Sequence, residues 1–153
     1  MSDAAHYRIG EAARRSGVSA ANIRYYEKES LLSPGGRSGN SYRFYSDSDL
    51  HRLRFIRLCR AMDMSLDEVR TLLALDGSDR QEGHVACATL DAHLEHVRTR
   101  LAELQVLEQE LRSLRSRCDG SDAGHCHVIE ALHERADSQA TEPQRNAPAH
   151  RHV

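Results

Sequence analysis

The chain has no tryptophan, and only two phenylalanines and five tyrosines among 153 residues. A large aromatic-lined substrate pocket is not expected from such material. No apolar run approaches the ~18 residues of a membrane-spanning helix, so no membrane association is expected. The first ten residues, MSDAAHYRIG, have no apolar core and do not resemble a secretion signal. Four cysteines without such a signal point to a reducing, cytoplasmic setting and to free thiols or metal ligands rather than disulfides. No catalytic constellation is evident, and an enzyme is not expected.

What is present is a chain of two electrical halves. The net charge is −2, but residues 7–75 hold 12 Lys and Arg against 8 Asp and Glu, and the remainder holds 9 against 15. A basic head on an acidic body suits a protein that meets phosphate at one end.

The local pattern is mainly helical. Ile9, Ala12 and Ala13 make a short apolar stripe, Gly17 and Val18 make a turn, and Ser19 can cap a helix continuing through Asn22–Glu29. Pro34, Gly35, Gly36, Gly39 and Asn40 break the chain, and Tyr42, Arg43 and Phe44 alternate as a short strand does. Ser46-Asp47-Ser48-Asp49 offers caps for a helix over 48–62, with Leu50, Leu53, Ile56 and Cys59 on one face. Ser65 with Glu68 is a capping box for a helix ending near Leu75. Residues 76–83 read as a polar linker. Over 85–117, Leu90, Leu94, Val97, Leu101, Leu104, Leu107, Leu111 and Leu114 recur at steps of three and four, uninterrupted by Gly or Pro. One leucine seam with no partner of matching length asks for a second copy, which predicts a coiled-coil homodimer. Residues 119–124 read as a loop, 128–135 as a short helix, and 136–153 as a polar tail without stable structure.

The first two helices and the strand that follows are the parts of a winged helix-turn-helix. The second helix offers Ser19, Ala20, Asn22 and Ile23 to base edges, with Arg24 reaching guanine or phosphate. Arg37 and Arg43 would grip the backbone, with hydroxyl contacts from Tyr25 and Tyr42. Tyr26 is expected in the core.

These residues carry a resemblance. Ile9-Gly10-Glu11-Ala12, Ile23-Arg24-Tyr25-Tyr26-Glu27, Tyr42-Arg43-Phe44-Tyr45, Ile56-Arg57-Leu58-Cys59-Arg60 and Met64-Ser65-Leu66-Asp67-Glu68 resemble the MerR family of bacterial transcription regulators over nearly all of residues 7–135. The resemblance implies a homodimer on a palindromic operator in double-stranded DNA. The operator would lie in a promoter whose spacer is too long for RNA polymerase, and the protein would bend and untwist that DNA when its effector binds. The implied organisation is a DNA-binding head over 7–75, a dimerisation helix over 84–117 paired antiparallel, a metal-binding loop and short helix over 118–135, and the tail.

The thiols sort into two kinds. Cys59, on a helix among apolar neighbours, reads as a small buried hydrophobe. Cys118 and Cys126 bracket seven residues, so both sulfurs can face one soft or borderline ion. Cys87 lies 31 residues before Cys118, roughly 46 Å along a helix, and cannot share that ion within one chain. In an antiparallel pair, Cys87 or neighbouring His84 would come from the other subunit. The resemblance is greatest to the cadmium- and lead-responsive, CadR/PbrR-like branch, whose partner-chain cysteine falls at Gly83 in this chain. The effector is therefore expected to be a soft metal ion, Cd2+ or Pb2+ first, with Zn2+, Hg2+ or Cu+ open and His125 available to a harder ion. A Cu(I)-type or thiol-redox regulator is the alternative reading, and a metal buffer without regulatory role a more remote one.

Overall fold

The structure is a computed structural model and describes residues 6–33, 42–118 and 127–139. It divides into two compact units, residues 1–96 and 97–153. The first holds α1 (Ile9–Ser16), α2 (Ala20–Lys28), α3 (Asp47–Ala61), α4 (Leu66–Leu73) and the opening turns of α5 (Arg80–Ser116). The second holds the rest of α5 and α6 (His127–Gln139).

Capping chemistry sets most of the boundaries. The first helix stops at Gly17, whose φ of 72° is left-handed, and whose N–H donates to the Ala13 carbonyl. The Ser16 hydroxyl accepts the Val18 N–H at 3.2 Å and holds the turn. The Ser19 hydroxyl then accepts the Asn22 N–H and starts α2. Two reciprocal capping boxes follow, Ser46 with Asp49 at α3 and Ser65 with Glu68 at α4.

One core serves the whole first unit. Ala12, Ile23, Tyr26, Leu31, Leu32, Leu50, Leu53, Ile56, Met64 and Val69 are buried in it. Tyr45 joins them and pairs with Tyr7 as an isolated antiparallel bridge, its N–H and carbonyl each 2.8 Å from their partners. The tip of the expected β-hairpin wing, residues 34–41, lies outside the described residues.

Two boundaries differ from expectation. The long helix begins at Arg80, not near 85. Asp79 Oδ1 accepts the Glu82 N–H at 2.9 Å, and Glu82 reaches back to the N–H groups of Asp76 and Gly77. An acidic cap therefore turns part of the expected linker into the first turn of α5. At the other end α6 runs to Gln139, so residues 136–139, expected to lack structure, are helical. Within the second unit Ala131 is the buried contact of α6, and Arg135 lies 3.5 Å from Glu110 of α5.

Candidate nucleic-acid interface and metal ligands

The second helix of the head presents a polar surface at its N-terminus. Ser19 is exposed, Ala20 and Asn22 are half-buried, and Arg24 and Tyr25 are exposed. Ile23 is a correction: expected among the base readers, it is wholly buried and packs into the core beside Tyr26. Helical spacing explains this, since Ile23 and Tyr26 are three residues apart and share the inward face, leaving Arg24 and Tyr25 outward.

Beside α2 lies an open cleft of about 640 Å3, lined by Arg8, Arg24, Tyr42, Arg43 and Tyr45 among others. The Arg8 guanidinium stands over the exposed Tyr42 ring, 5.2 Å from its centroid. Arg43 forms an ion pair with Glu27, whose side chain is almost fully buried. Tyr45 donates its phenol hydrogen to the same carboxylate, and burial pushes its pKa above that of an ordinary tyrosine. Arg43 is thus anchored on α2 and fixes the strand position after the expected wing. Arg37 lies outside the described residues.

Much of the head's positive charge is structural. Arg52 donates to the Leu31 carbonyl at 2.6 Å, Arg54 to that of Arg15 at 3.0 Å, Arg60 to that of Met64 at 2.6 Å and Arg70 to that of Glu29 at 2.9 Å. Two of these carbonyls, those of Arg15 and Glu29, lie at helix C-termini, where a cation is favoured. The excess of basic residues in the head therefore overstates the charge directed at a phosphate chain.

The thiols are distributed as follows. Cys59 is buried, and burial pushes its thiol pKa up. Cys87 and Cys118 are free and exposed, one in the early turns of α5 and the other just past its end. His84 is exposed one turn before Cys87, and Gly83 lies in the helix's first turns. Cys126 and His125, expected as ligands, lie outside the described residues.

A further cluster was not anticipated. Glu68, His93 and His96 each bring one ligand-capable atom within 4.8 Å of the others. In sequence, Glu68 registers as a helix cap. The signal for more was the pair of histidines three apart on a helix otherwise read for its leucines.

Comparison with known proteins fits this arrangement. Residues 7–76 match the MerR HTH family regulatory proteins, and residues 50–114 match the family's second region, described as "MerR, DNA binding". A heavy metal-dependent transcription regulator of Rhizobium meliloti is 38% identical over 125 residues, covering 81% of this chain and 84% of that protein. The transcriptional regulator ZntR of Escherichia coli is 35% identical over 136 residues, covering 85% and 94% respectively. Among solved structures, the transcription regulator PbrR691 from Ralstonia metallidurans in complex with lead(II) is 42% identical, with a TM-score of 0.69 over 82% of this chain and 98% of that one. With a capped helix-turn-helix, a long helix after it, and relatives matched over most of their own length, the chain belongs to the MerR family of helix-turn-helix regulators.

Proposed function

We propose that this regulator works as a homodimer that binds a soft metal ion and, in response, activates a metal-resistance or efflux promoter. The observation that carries the reading is on α5. Leu90, Leu94, Val97, Leu101, Leu104, Leu107 and Leu111 are each 47–57% exposed in the single chain, and this seam ends at the exposed thiol of Cys118. A seam that wants a second copy and a thiol at its end link assembly to metal.

In this reading residues 7–75 read DNA, 84–117 pair antiparallel, and 118–135 hold the ion. Ser19, Ala20, Asn22 and Arg24 face the major groove, and Tyr25, Arg37, Tyr42 and Arg43 flank it at the phosphates. Cys118 and Cys126 bind the ion together with Cys87 or His84 of the other subunit. His125 would serve an ion that prefers nitrogen. The similarity to a lead(II)-bound regulator supports Pb2+, and that to a heavy metal-dependent one supports a heavy metal ion in general; Cd2+ and Zn2+ rest on the sequence reading. Gly83, where the cadmium- and lead-responsive branch has its partner-chain cysteine, is why Cys87 one turn later is the thiol to test. Bending and untwisting a promoter costs about 1–6 kcal/mol. The ion must therefore favour the activating dimer by a comparable amount, which thiolate coordination can supply. The realigned promoter is then engaged by RNA polymerase in the cytoplasm.

The test is a titration of reduced protein with Cd2+, Pb2+ and Zn2+, following thiolate-to-metal absorption. In parallel, the same variants are run on palindromic duplexes selected from a random pool. Two or three thiolates per ion are expected, lost in Cys118→Ser and Cys126→Ser while DNA is still bound. Uptake that leaves the bound duplex's conformation unchanged would overturn the reading. Cadmium affinity unaltered by Cys87→Ser would remove that residue from the site.

A further inference from the structure

We infer that Arg8 and Glu27 belong to the DNA-binding surface: Arg8 takes a backbone phosphate in the cleft beside α2, and Glu27 is the positioning residue that holds Arg43 ready beside it. The inference rests on the reading of the head as a duplex-binding unit, and adds two residues to which that reading gave no role.

Three segments meet at this cleft of about 640 Å3: the residue before α1, the helix α2, and the strand position after the expected wing. Each brings an arginine, Arg8, Arg24 and Arg43, and the one carboxylate among the described lining residues is that of Glu27. Three cations therefore stand against one anion. Arg52, Arg54, Arg60 and Arg70 elsewhere in the head direct their N–H donors to backbone carbonyls. Arg8 has no such partner among the described residues. Its guanidinium stands over the Tyr42 ring, and both side chains are exposed.

Position 8 is a poor place for a cation in the protein alone. It is the N-cap of α1, where its side chain accepts no helix N–H. It also lies at the positive end of the helix dipole. Two further guanidinium groups share the cleft, and like charges brought together repel. An anion seated among them relieves these costs together. The Tyr42 face limits where the Arg8 guanidinium can go, so less freedom is lost when a phosphate arrives.

Glu27 acts from beneath. Its side chain is 4% exposed. One oxygen, Oε1, accepts the Tyr45 phenol hydrogen. Tyr45 is itself fixed, being fully buried and joined to Tyr7 by two backbone hydrogen bonds. The other oxygen, Oε2, engages Arg43 at Nη1. A guanidinium carries five N–H donors in one rigid plane. Held at one corner, it keeps its remaining donors directed away from the carboxylate, and a phosphate can accept them as a pair. The side chain of Arg43 is 38% exposed, which leaves that edge open. A carboxylate beside a phosphate path also repels it. Glu27 therefore helps DNA binding only if the orientation it gives Arg43 outweighs its charge, and this fixes the sign of the test.

The experiment uses the full chain and a palindromic duplex selected from a random pool, with binding followed by fluorescence anisotropy over a range of salt concentrations. Each phosphate contact contributes about 0.9 to the slope of log affinity against log salt. Arg8→Ala is expected to reduce that slope by about two per dimer. It should weaken specific and unrelated duplexes alike and leave the urea midpoint at or above that of the wild type. Arg8→Lys is expected to keep the slope. Glu27→Gln keeps an acceptor for the Tyr45 phenol and removes a negative charge. Charge alone predicts tighter binding, whereas positioning predicts binding roughly tenfold weaker. With Arg43→Ala already present, Glu27→Gln is expected to weaken binding no further, a result that a purely structural role does not give. A wild-type salt slope in Arg8→Ala would overturn the assignment of Arg8. Undiminished binding by folded Glu27→Gln, or loss of its helical circular dichroism, would overturn that of Glu27. A wild-type chain that binds no duplex at all would sink the regulatory reading, and this inference with it.

Discussion

At the scale of single residues, the head depends on positions with little freedom. Gly17 closes α1 and opens the turn to α2 with a φ of 72°. A Cβ there would sit 2.6 Å from Arg57 Nη1. The guanidinium is the end of a long side chain and can move, so the backbone dominates the cost. A left-handed conformation costs an L-residue about 1–2 kcal/mol. Gly17→Ala is expected to lower stability by about that amount, read as a shift of the urea midpoint with an unchanged slope. A loss near zero would mean the turn can change its conformation. The arginines make a related point. Arg52, Arg54, Arg60 and Arg70 are tied to backbone carbonyls, so alanine at these positions should act first on folding. At Arg24, exposed on α2, it should act first on DNA.

At the scale of elements, α2, α3 and α4 each start from a serine side chain that accepts an orphan N–H, whereas α1 has no side-chain cap. Removing the Ser65 hydroxyl leaves the Glu68 N–H, which it accepts at 3.2 Å, without that partner. Ser65→Ala is expected to cost about 1 kcal/mol, with the first turn of α4 exchanging its amide hydrogens faster while α1 and α2 are unaffected. Equal acceleration throughout the head would show that α4 does not open by itself. These caps are also why so much of the fold was legible in the sequence. Ser19, Ser46 and Ser65 act through short-range rules, and the Leu50-Leu53-Ile56-Cys59 face follows helical spacing. Legibility failed where two rules competed for the same residue. Asp79 and Glu82 looked like linker acids because the apolar pattern starts later, yet they cap α5. Ile23 sits among polar neighbours at a helix N-terminus, and only its register with Tyr26 turns it inward. Glu68 satisfied a local rule so well that its second oxygen went unread, and its meeting with His93 and His96 is a tertiary fact that no spacing within one element reports.

At the scale of the whole molecule, the exposed seam of α5 decides what the functional unit is. A leucine about half-exposed in one chain gains on being covered by a second, since fully burying such a side chain is worth about 1.5–3 kcal/mol. In a twofold-symmetric pair every substitution counts twice. Leu101 and Leu104 are 56% and 47% exposed and already face solvent in the single chain, so Glu at both should leave the protomer's helical circular dichroism intact. Four leucine contacts would be lost per dimer, and because each side chain is already about half covered, about half of the lower figure applies to each, about 3 kcal/mol in all, which corresponds to a roughly hundredfold weaker association. Sedimentation should then report monomers at micromolar protein. A palindromic duplex should be bound no better than an isolated half-site, because the two heads no longer arrive together. The metal readout should follow in the same variant: an ion shared between subunits at the thiols, as proposed, should be lost with the dimer. A double variant that remains dimeric with undiminished preference for the palindrome would mean that the seam is not the interface, and that α5 meets its partner through another face.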